Sequence, residues 1–282
     1  MVSHSLTLRD LRSRYHQGIA QGILNPTERP EPLAVKSYLR EGLERRSTPA
    51  RDATVAARRV PRDKFVEVTK EFVQESFHRI EHLRPGDWAF RTSQRADATG
   101  DYYDADVVRR LQHFLRRHPE VRFARWMDFF VTPDITIARM PVTDNETNKG
   151  HTFVTDSGQL AKYTPLRREV NTKSILHASI SCKWTIRSDR SQNTRTEALN
   201  LIRNRKGKVP IVVAVVFEPL PTRVASIALG TGDLDCVYYG ALYELCEAVE
   251  ETGKEDQKDM LDTLVQGRRL RDISDLPFDL AT

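Results

Sequence analysis

Apolar residues recur at three- and four-residue intervals in a segment that starts about 60 residues into the chain. This spacing places them on one face of a helix, for which Asp63 is a possible N-cap and Pro85-Gly86 a stop signal. The apolar positions are Phe65, Val68, Phe72, Val73, Phe77 and Ile80. A second helix is predicted from Asp104 to His118, because Pro119 ends its pattern.

The residues before the first of these helices are polar and carry two short helical patterns, around Leu6 to Ile23 and Leu33 to Leu43. A proline-containing run from Asn25 to Pro32 separates the two patterns. We therefore expect residues 1–60 to form an N-terminal helical arm or thin helical layer. Residues 61–282 are expected to form the core of a single domain.

Strand patterns follow in the middle of the chain. Runs rich in β-branched and aromatic residues predict strands at Trp126 to Val131, Ile135 to Ala138, Ile175 to Trp184 and Val209 to Phe217. The last run is almost unbrokenly apolar, as in a central strand buried on both faces. Further helices are predicted at Thr194 to Arg205, Arg223 to Leu229, Asp235 to Glu250 and Asp256 to Val265. Together these elements predict a mixed α/β fold.

Composition excludes several classes of protein. The chain has no apolar stretch of the ~18 to 20 residues that a membrane span requires, and its N-terminus lacks the apolar core of a secretory signal. We therefore expect a soluble protein in the cytoplasm. The three cysteines, Cys182, Cys236 and Cys246, form no CxxC pair and no zinc-finger spacing with histidine, so neither a disulfide scaffold nor a structural zinc site is expected.

Positive charge is concentrated in one stretch. The chain has 44 Lys and Arg against 39 Asp and Glu, a formal net charge of +5, which permits a polyanionic partner without requiring one. Between Ile180 and Pro210, eight basic residues stand against two acidic ones, so this stretch alone carries +6. The acidic stretch from Glu244 to Asp262 predicts solvated helix faces that point away from any polyanion.

Residues suited to cutting a phosphodiester bond occur in the order acid, lysine, acid. Asp134 follows Pro133 at the end of one predicted strand, Lys183 lies in a second strand, and Glu197 comes 14 residues later on the next predicted helix. In phosphodiester hydrolysis, two carboxylates hold Mg²⁺ and a nearby ammonium orients the attacking water. The sequence has no glycine-rich phosphate loop, so no nucleotide cofactor is expected.

This order of residues also has an ordinary explanation, which is a turn at Pro133-Asp134 and a strand lysine that reaches solvent. The neighbours of Lys183 favour the catalytic alternative. An ammonium among the apolar residues from Ile175 to Trp184 is costly unless an acid pairs with it. Asp134 and Glu197 could supply that pairing.

A second candidate group lies just after the lysine strand, where Arg187, Asp189 and Arg190 stand close together. In the major groove of DNA, an arginine donates two hydrogen bonds to guanine and an aspartate accepts one from cytosine, so the group matches adjacent G·C pairs. The alternative is a helix start that is capped and held by salt bridges.

Longer runs of sequence resemble a known family. Type II restriction endonucleases of the NgoMIV family are closely similar to this chain over Leu176 to Arg190, Glu197 to Gly207, Ser226 to Tyr238 and Arg269 to Leu280. The similarity extends, with gaps, from about Phe65 to the C-terminus. The resemblance implies a PD-(D/E)XK restriction-endonuclease-like core, with a central mixed β-sheet flanked by helices, in the branch that cuts DNA at sites containing CCGG.

The resemblance also implies catalytic roles. Most PD-(D/E)XK enzymes place an acid two residues before the lysine, where this chain has Ser181. The CCGG branch instead supplies that acid from the following helix, at the position of Glu197. Asp134 and Glu197 would then bind Mg²⁺ together with the main-chain carbonyl of Cys182, and Lys183 would act on the water.

Recognition residues are implied in the same way. Arg187, Asp189 and Arg190 fall where the family contacts CCGG, and Arg223 matches a position that contacts the outer base pair, so the expected site in double-stranded DNA is GCCGGC. The family further implies four-nucleotide 5′ overhangs, a homotetramer built as a dimer of dimers, and a prokaryotic host. A palindromic target independently favours at least a dimer.

One position departs from the family pattern. The family has an acid directly after a phenylalanine near the start of its first long helix, but here Phe65 is followed by Val66. Glu67 and Glu71 are the candidates for that acid. The alternative is a row of solvated glutamates on one helix face, continuing to Glu75.

Two other functions fit part of these observations. A PD-(D/E)XK repair or recombination nuclease of relaxed specificity would need positive charge, but not an acid such as Asp189 among its base contacts. A catalytically inactive, site-specific DNA-binding protein would not need Asp134, Lys183 and Glu197.

Overall fold

Two compact units make up the chain in the computed structural model. The first comprises Met1–Leu83, Ile180–Arg195 and Val212–Thr282, and the second comprises Arg84–Ser179 and Thr196–Ile211. The structure describes residues 6–24, 31–45, 62–92, 102, 117, 133–155, 160–186, 188–229 and 232–282.

Strands of the described residues form a six-stranded sheet in the order β1-β2-β3-β4-β5-β6. They are β1 (Trp88–Thr92), β2 (Ile135–Arg139), β3 (Ile175–Lys183), β4 (Ile211–Val216), β5 (Cys236–Tyr239) and β6 (Leu270–Asp272). Strands β1 and β2 are antiparallel, whereas β4 and β5, and β5 and β6, pair in parallel. The predicted fold class, α/β with a mixed sheet, is confirmed.

Helices account for most of the remaining described residues. They are α1 (Leu8–Ile19), α2 (Glu31–Arg45), α3 (Arg62–Ile80), α4 (Asp144–Thr147), α5 (Ser188–Asn204), α6 (Pro221–Ala228), α7 (Leu242–Thr252), α8 (Glu255–Gln266) and α9 (Leu276–Ala281). A π-helical turn, Ala20–Leu24, follows α1, and 3-10 turns at Glu81–Leu83 and Ile273–Asp275 follow α3 and β6. In the part of the chain that the structure describes, no helix is long and apolar enough to cross a membrane.

The segment Cys236–Tyr239 corrects one prediction. It forms strand β5, whereas the sequence pattern predicts a helix from Asp235 to Glu250, and helix α7 begins only at Leu242. Strand β5 pairs with β4 on one side and β6 on the other. This pairing and the burial of all four residues outweigh the helical spacing of the sequence, because tertiary context overrides local preference in short strands. The patterns also miss the short strands β1 and β6.

The other predicted strands and helices agree with the structure except at some helix starts. Strands β2, β3 and β4 lie at the predicted places, and β4 is buried along nearly its whole length. Helix α3 starts at Arg62, so Asp63 lies in its first turn and is not the N-cap. Helix α5 starts at Ser188, six residues before its predicted start at Thr194. The predicted helix 104–118, apart from Arg117, and the predicted strand 126–131 lie outside the described residues.

Aromatic rings from several elements of the first unit pack around Phe217, which directly follows β4. Trp184, directly after β3, stacks on Phe217 with ring centroids 4.6 Å apart and an interplanar angle of 9°. Rings from α2, α3 and β5 complete this aromatic cluster; they are Tyr38 at 6.1 Å, Phe65 at 6.2 Å and Tyr239 at 5.8 Å from Phe217. Such pairs stabilise a fold beyond the area that they bury. The cluster therefore fixes the residues that follow β3 and β4.

A largely buried ionic cluster ties helix α1 to the C-terminal part of the first unit. The Arg12 guanidinium donates to both oxygens of Glu244, at 2.8 and 2.7 Å, and to both oxygens of Asp272, at 3.0 and 2.8 Å. Asp272 is 1% exposed. Burial acts to raise the pKa of Asp272, but the hydrogen bonds and positive charge of Arg12, together with hydrogen bonds from Ser274, hold this pKa below its usual value. Helix α1 is therefore a layer of the core rather than a free arm.

Arg12→Ala should lower the free energy of unfolding by about 3 kcal/mol, because the buried Asp272 and the largely buried Glu244 lose their shared partner. The matched control is Arg14→Ala on the same helix, whose ion pair with Glu75 is half exposed and should contribute less than about 1 kcal/mol. Urea unfolding of both variants, followed by circular dichroism, measures the difference. Equal losses in the two variants would contradict this account of the Arg12 cluster.

Candidate active site

Strand β3 of the sheet ends at Lys183, the predicted catalytic lysine. Ser181 and Cys182 precede it and are buried, and Lys183 itself is half-buried. The main-chain carbonyl of Lys183 accepts a hydrogen bond from the N–H of Phe217 at 3.1 Å, and Lys183 takes part in further interactions. The backbone at the lysine is therefore held against the residue that follows β4.

Ser181 and Lys183 are two residues apart on β3, so their side chains lie on the same face of the strand. The Ser181 hydroxyl is buried and has no hydrogen-bond partner among the described residues. A buried polar group without a partner is destabilising, and it gives a bound water or ligand oxygen a place to form a hydrogen bond. Ser181 therefore presents an unsatisfied hydroxyl on the same face of β3 as Lys183.

Asp134 directly precedes β2 in the second unit. It is 7% exposed and lies between the buried residues Pro133 and Ile135. A carboxylate in such surroundings needs polar partners, and Asp134 does take part in polar interactions. On the same strand, Thr136 is hydrogen-bonded through its hydroxyl to the hydroxyl of Tyr102 at 2.6 Å. The start of β2 thus carries a fixed, largely buried acid.

Glu197 lies on α5, in the part of that helix that belongs to the second unit. It is half-buried and is not isolated, and the next residue, Ala198, is buried on the packed side of the helix. Among the described residues, no group of three or more His, Cys, Asp or Glu side chains is placed to hold a metal ion.

The predicted base-contacting residues lie at the starts of two helices, as far as the structure describes them. Asp189 and Arg190 are in the first turn of α5, and Arg187 lies outside the described residues. Arg223 is exposed in the first turn of α6, and its N–H donates to the carbonyl of Leu220 at 2.9 Å. An exposed arginine at the start of a helix is available to contact a ligand.

Glu218 is a fully buried carboxylate that the sequence patterns did not predict as a functional residue. Its exposure is 0%. Oε2 accepts the N–H of Ile186 at 2.9 Å, and Oε1 accepts the N–H of Leu220 at 3.3 Å. The available signal was a charged residue directly after the nearly unbroken apolar run from Val209 to Phe217.

Both candidates for the helix glutamate lie on the exposed face of α3. Glu67 forms an ion pair with Lys64 at 3.0 Å, and Glu71 is also exposed. The opposite face carries buried residues such as Phe65 and Phe72. This arrangement matches the alternative of a solvated glutamate row, and a catalytic role for Glu67 or Glu71 stays a prediction.

Comparisons with known proteins identify relatives of this chain. The family model described as NgoMIV restriction enzyme matches residues 47–282. The type II restriction enzyme NgoMIV of Neisseria gonorrhoeae is 45% identical over 219 residues, which cover 77% of this chain and 76% of that protein.

Two solved structures are similar at low scores. They are the type IIF restriction endonuclease Bse634I with cognate DNA, at a TM-score of 0.39 and 11% identity, and a PspGI complex with substrate DNA, at 0.28 and 14%. Each covers 89% of this chain and 92% of the other chain. TM-scores this low do not establish a shared fold.

Ser181→Ala should leave the free energy of unfolding unchanged or raise it slightly, because the hydroxyl has no protein partner among the described residues. Thr136→Val is the matched control, since it removes a buried hydroxyl that does have a partner, Tyr102, and should cost about 1–3 kcal/mol. Urea unfolding of both variants measures the contrast. A loss in Ser181→Ala as large as that in Thr136→Val would show that the Ser181 hydroxyl is satisfied within the protein.

Proposed function

The chain belongs to the NgoMIV restriction enzyme family and is a type II restriction endonuclease, and we propose that it cuts both strands of DNA at GCCGGC, a CCGG-centred palindrome, in a Mg²⁺-dependent reaction. The cuts leave four-nucleotide 5′ overhangs. The observation that carries the proposal is the extent of the family match, residues 47–282, which includes every candidate catalytic and base-contacting residue.

The donors that this chain offers fit Mg²⁺. Asp134 and Glu197 provide carboxylate oxygens and Cys182 a main-chain carbonyl, and Mg²⁺ prefers such oxygen ligands. When bound, Mg²⁺ supplies positive charge that stabilises the phosphate oxygens during hydrolysis. The orphaned Ser181 hydroxyl supports the proposal, because it marks unmet hydrogen-bonding capacity beside the lysine.

The proposed role of Lys183 is to hold and orient the attacking water. An ammonium group donates hydrogen bonds to a water and favours negative charge nearby. The half-buried side chain stands at the end of a strand whose backbone is fixed to Phe217. A fixed position is what this role requires, because small displacements of a catalytic group cost much of its effect.

The proposed base contacts are of two kinds, those to the inner CCGG base pairs of the site and those to the outer base pair. Arg187, Asp189 and Arg190 contact the CCGG core, where arginine pairs with guanine and aspartate with cytosine. Arg223 contacts the outer G·C pair. A palindrome is contacted symmetrically by two copies of the chain, and we propose that two such dimers assemble into a homotetramer. The proposed location is the cytoplasm of a prokaryotic cell.

Lys183→Ala should slow cleavage of a GCCGGC-containing plasmid by at least about a hundredfold, because the water loses the group that orients it. Binding of the same DNA without Mg²⁺, measured by gel shift, should persist. The control Lys258→Ala removes an equal charge from α8, where Lys258 pairs with Glu250, and should cut like the wild type. Cleavage by Lys183→Ala at the wild-type rate would refute the proposed role.

Arg223→Ala should weaken the preference for a G·C outer pair about 5- to 150-fold while the CCGG core stays required, because one bidentate arginine–guanine contact is lost. Cleavage rates on plasmids that differ only at the outer pair measure this preference. An unchanged preference would place the recognition of the outer pair elsewhere in the chain.

A further inference from the structure

The carboxylate of Glu218 joins two segments of the first unit that are distant in sequence. A buried carboxylate is unfavourable unless its oxygens accept hydrogen bonds. At 0% exposure, Glu218 meets this need with two backbone donors, the N–H of Ile186 on Oε2 at 2.9 Å and the N–H of Leu220 on Oε1 at 3.3 Å. Its own carbonyl accepts the hydroxyl of Tyr239 at 2.9 Å.

The two donors stand where the proposed base-contacting segments begin. Ile186 directly precedes Arg187 in the sequence and is 3% exposed. Leu220 is the N-cap residue of α6, and its carbonyl accepts the N–H of Arg223 at 2.9 Å. One carboxylate therefore sets the spacing between the backbone that leads into Arg187 and the backbone that carries Arg223.

A second contact links the helices of the same two segments. Arg195 of α5 donates from Nη2 to the carbonyl of Ser226 in α6 at 2.6 Å, and the Ser226 hydroxyl donates to the carbonyl of Arg223 at 2.7 Å. The connection between β4 and α6 is also closely packed, since a Cβ added at Gly42 would lie 2.5 Å from Pro219. The two segments are thus held at more than one point.

We propose that Glu218 is a positioning residue for DNA recognition. It holds the backbone of Ile186, which directly precedes Arg187 in the sequence, and the backbone of Leu220, at the start of the helix that carries Arg223, at a fixed separation. The inner and outer base pairs of the site are thereby contacted together. Glu218 itself touches no DNA and acts through the backbone of Ile186 and Leu220. The inference rests on the proposed function, because it takes Arg187 and Arg223 as base contacts.

The measured quantity is the discrimination ratio. It is the Kd for a duplex in which one base pair is changed in both half-sites, divided by the Kd for the duplex that the wild type cuts. Binding is measured without Mg²⁺, so that no strand is cut. Glu218→Gln keeps the size of the side chain but presents an NH₂ group to one of the two N–H donors. It should lower the ratio about tenfold at both inner and outer positions.

Tyr239→Phe is the matched control. It removes the hydrogen bond to the carbonyl of Glu218 and leaves both carboxylate bonds in place, so the ratio should stay at the wild-type value. A full wild-type ratio in Glu218→Gln, or an equal fall in both variants, would overturn the positioning role. If Glu218→Gln does not fold, Glu218→Asp decides by the same criterion, because it keeps the charge but shortens the side chain by one methylene group, so that one carboxylate cannot reach both N–H groups.

Failure of the proposed function and failure of the Glu218 role give different experimental results. A wild-type protein that neither binds nor cuts any CCGG-containing duplex would refute the proposed function and this inference with it. A wild-type protein that discriminates strongly, beside a Glu218→Gln variant that discriminates equally well, would leave the proposed function intact and refute the role of Glu218 alone.

Discussion

The stacking of Trp184 on Phe217, at 4.6 Å between ring centroids, is the contact on which the part of the first unit around Lys183 depends. It joins the residue after β3 to the residue after β4, and the hydrogen bond from the Phe217 N–H to the Lys183 carbonyl runs beside it. Rings from α2, α3 and β5 close the cluster. The aromatic cluster therefore holds Lys183 in a fixed position. Lys183 lies at a strand end, which is where α/β folds place ligands.

Two buried carboxylates, Glu218 and Asp272, add further fixed contacts to the first unit. Glu218 accepts hydrogen bonds from the N–H groups of Ile186 and Leu220. Asp272 accepts hydrogen bonds from Arg12 of helix α1. A buried carboxylate without partners would destabilise the fold. The structure around each of these acids therefore depends on the donors that bind it. Recognition of a DNA site benefits from such fixed partners, because discrimination between bases requires donors and acceptors that do not move to accommodate the wrong base.

Sequence patterns predict the helices and strands that are determined by residues close together in the chain. The periodicity of α3 and the apolar runs of β3 and β4 lie within short windows, and their places are confirmed. The pattern wrongly predicts a helix at β5, because the strands that pair with β5 are distant from it in sequence. Local patterns also cannot predict the hydrogen bond between Arg12 and Asp272, which are 260 residues apart, or the one between Ile186 and Glu218, which are 32 apart. The candidate site residues came from their chemistry and a family resemblance, which local patterns alone could not supply.

The central claim is that this chain cuts DNA at one CCGG-centred palindrome. The most direct measurement is to incubate the purified protein and Mg²⁺ with a genome-length DNA, and to sequence every fragment end beside an Asp134→Ala control. We expect ends that cluster at GCCGGC with four-nucleotide 5′ overhangs, and no ends in the control. Ends scattered over unrelated sequences, or ends that persist in Asp134→Ala, would contradict this claim.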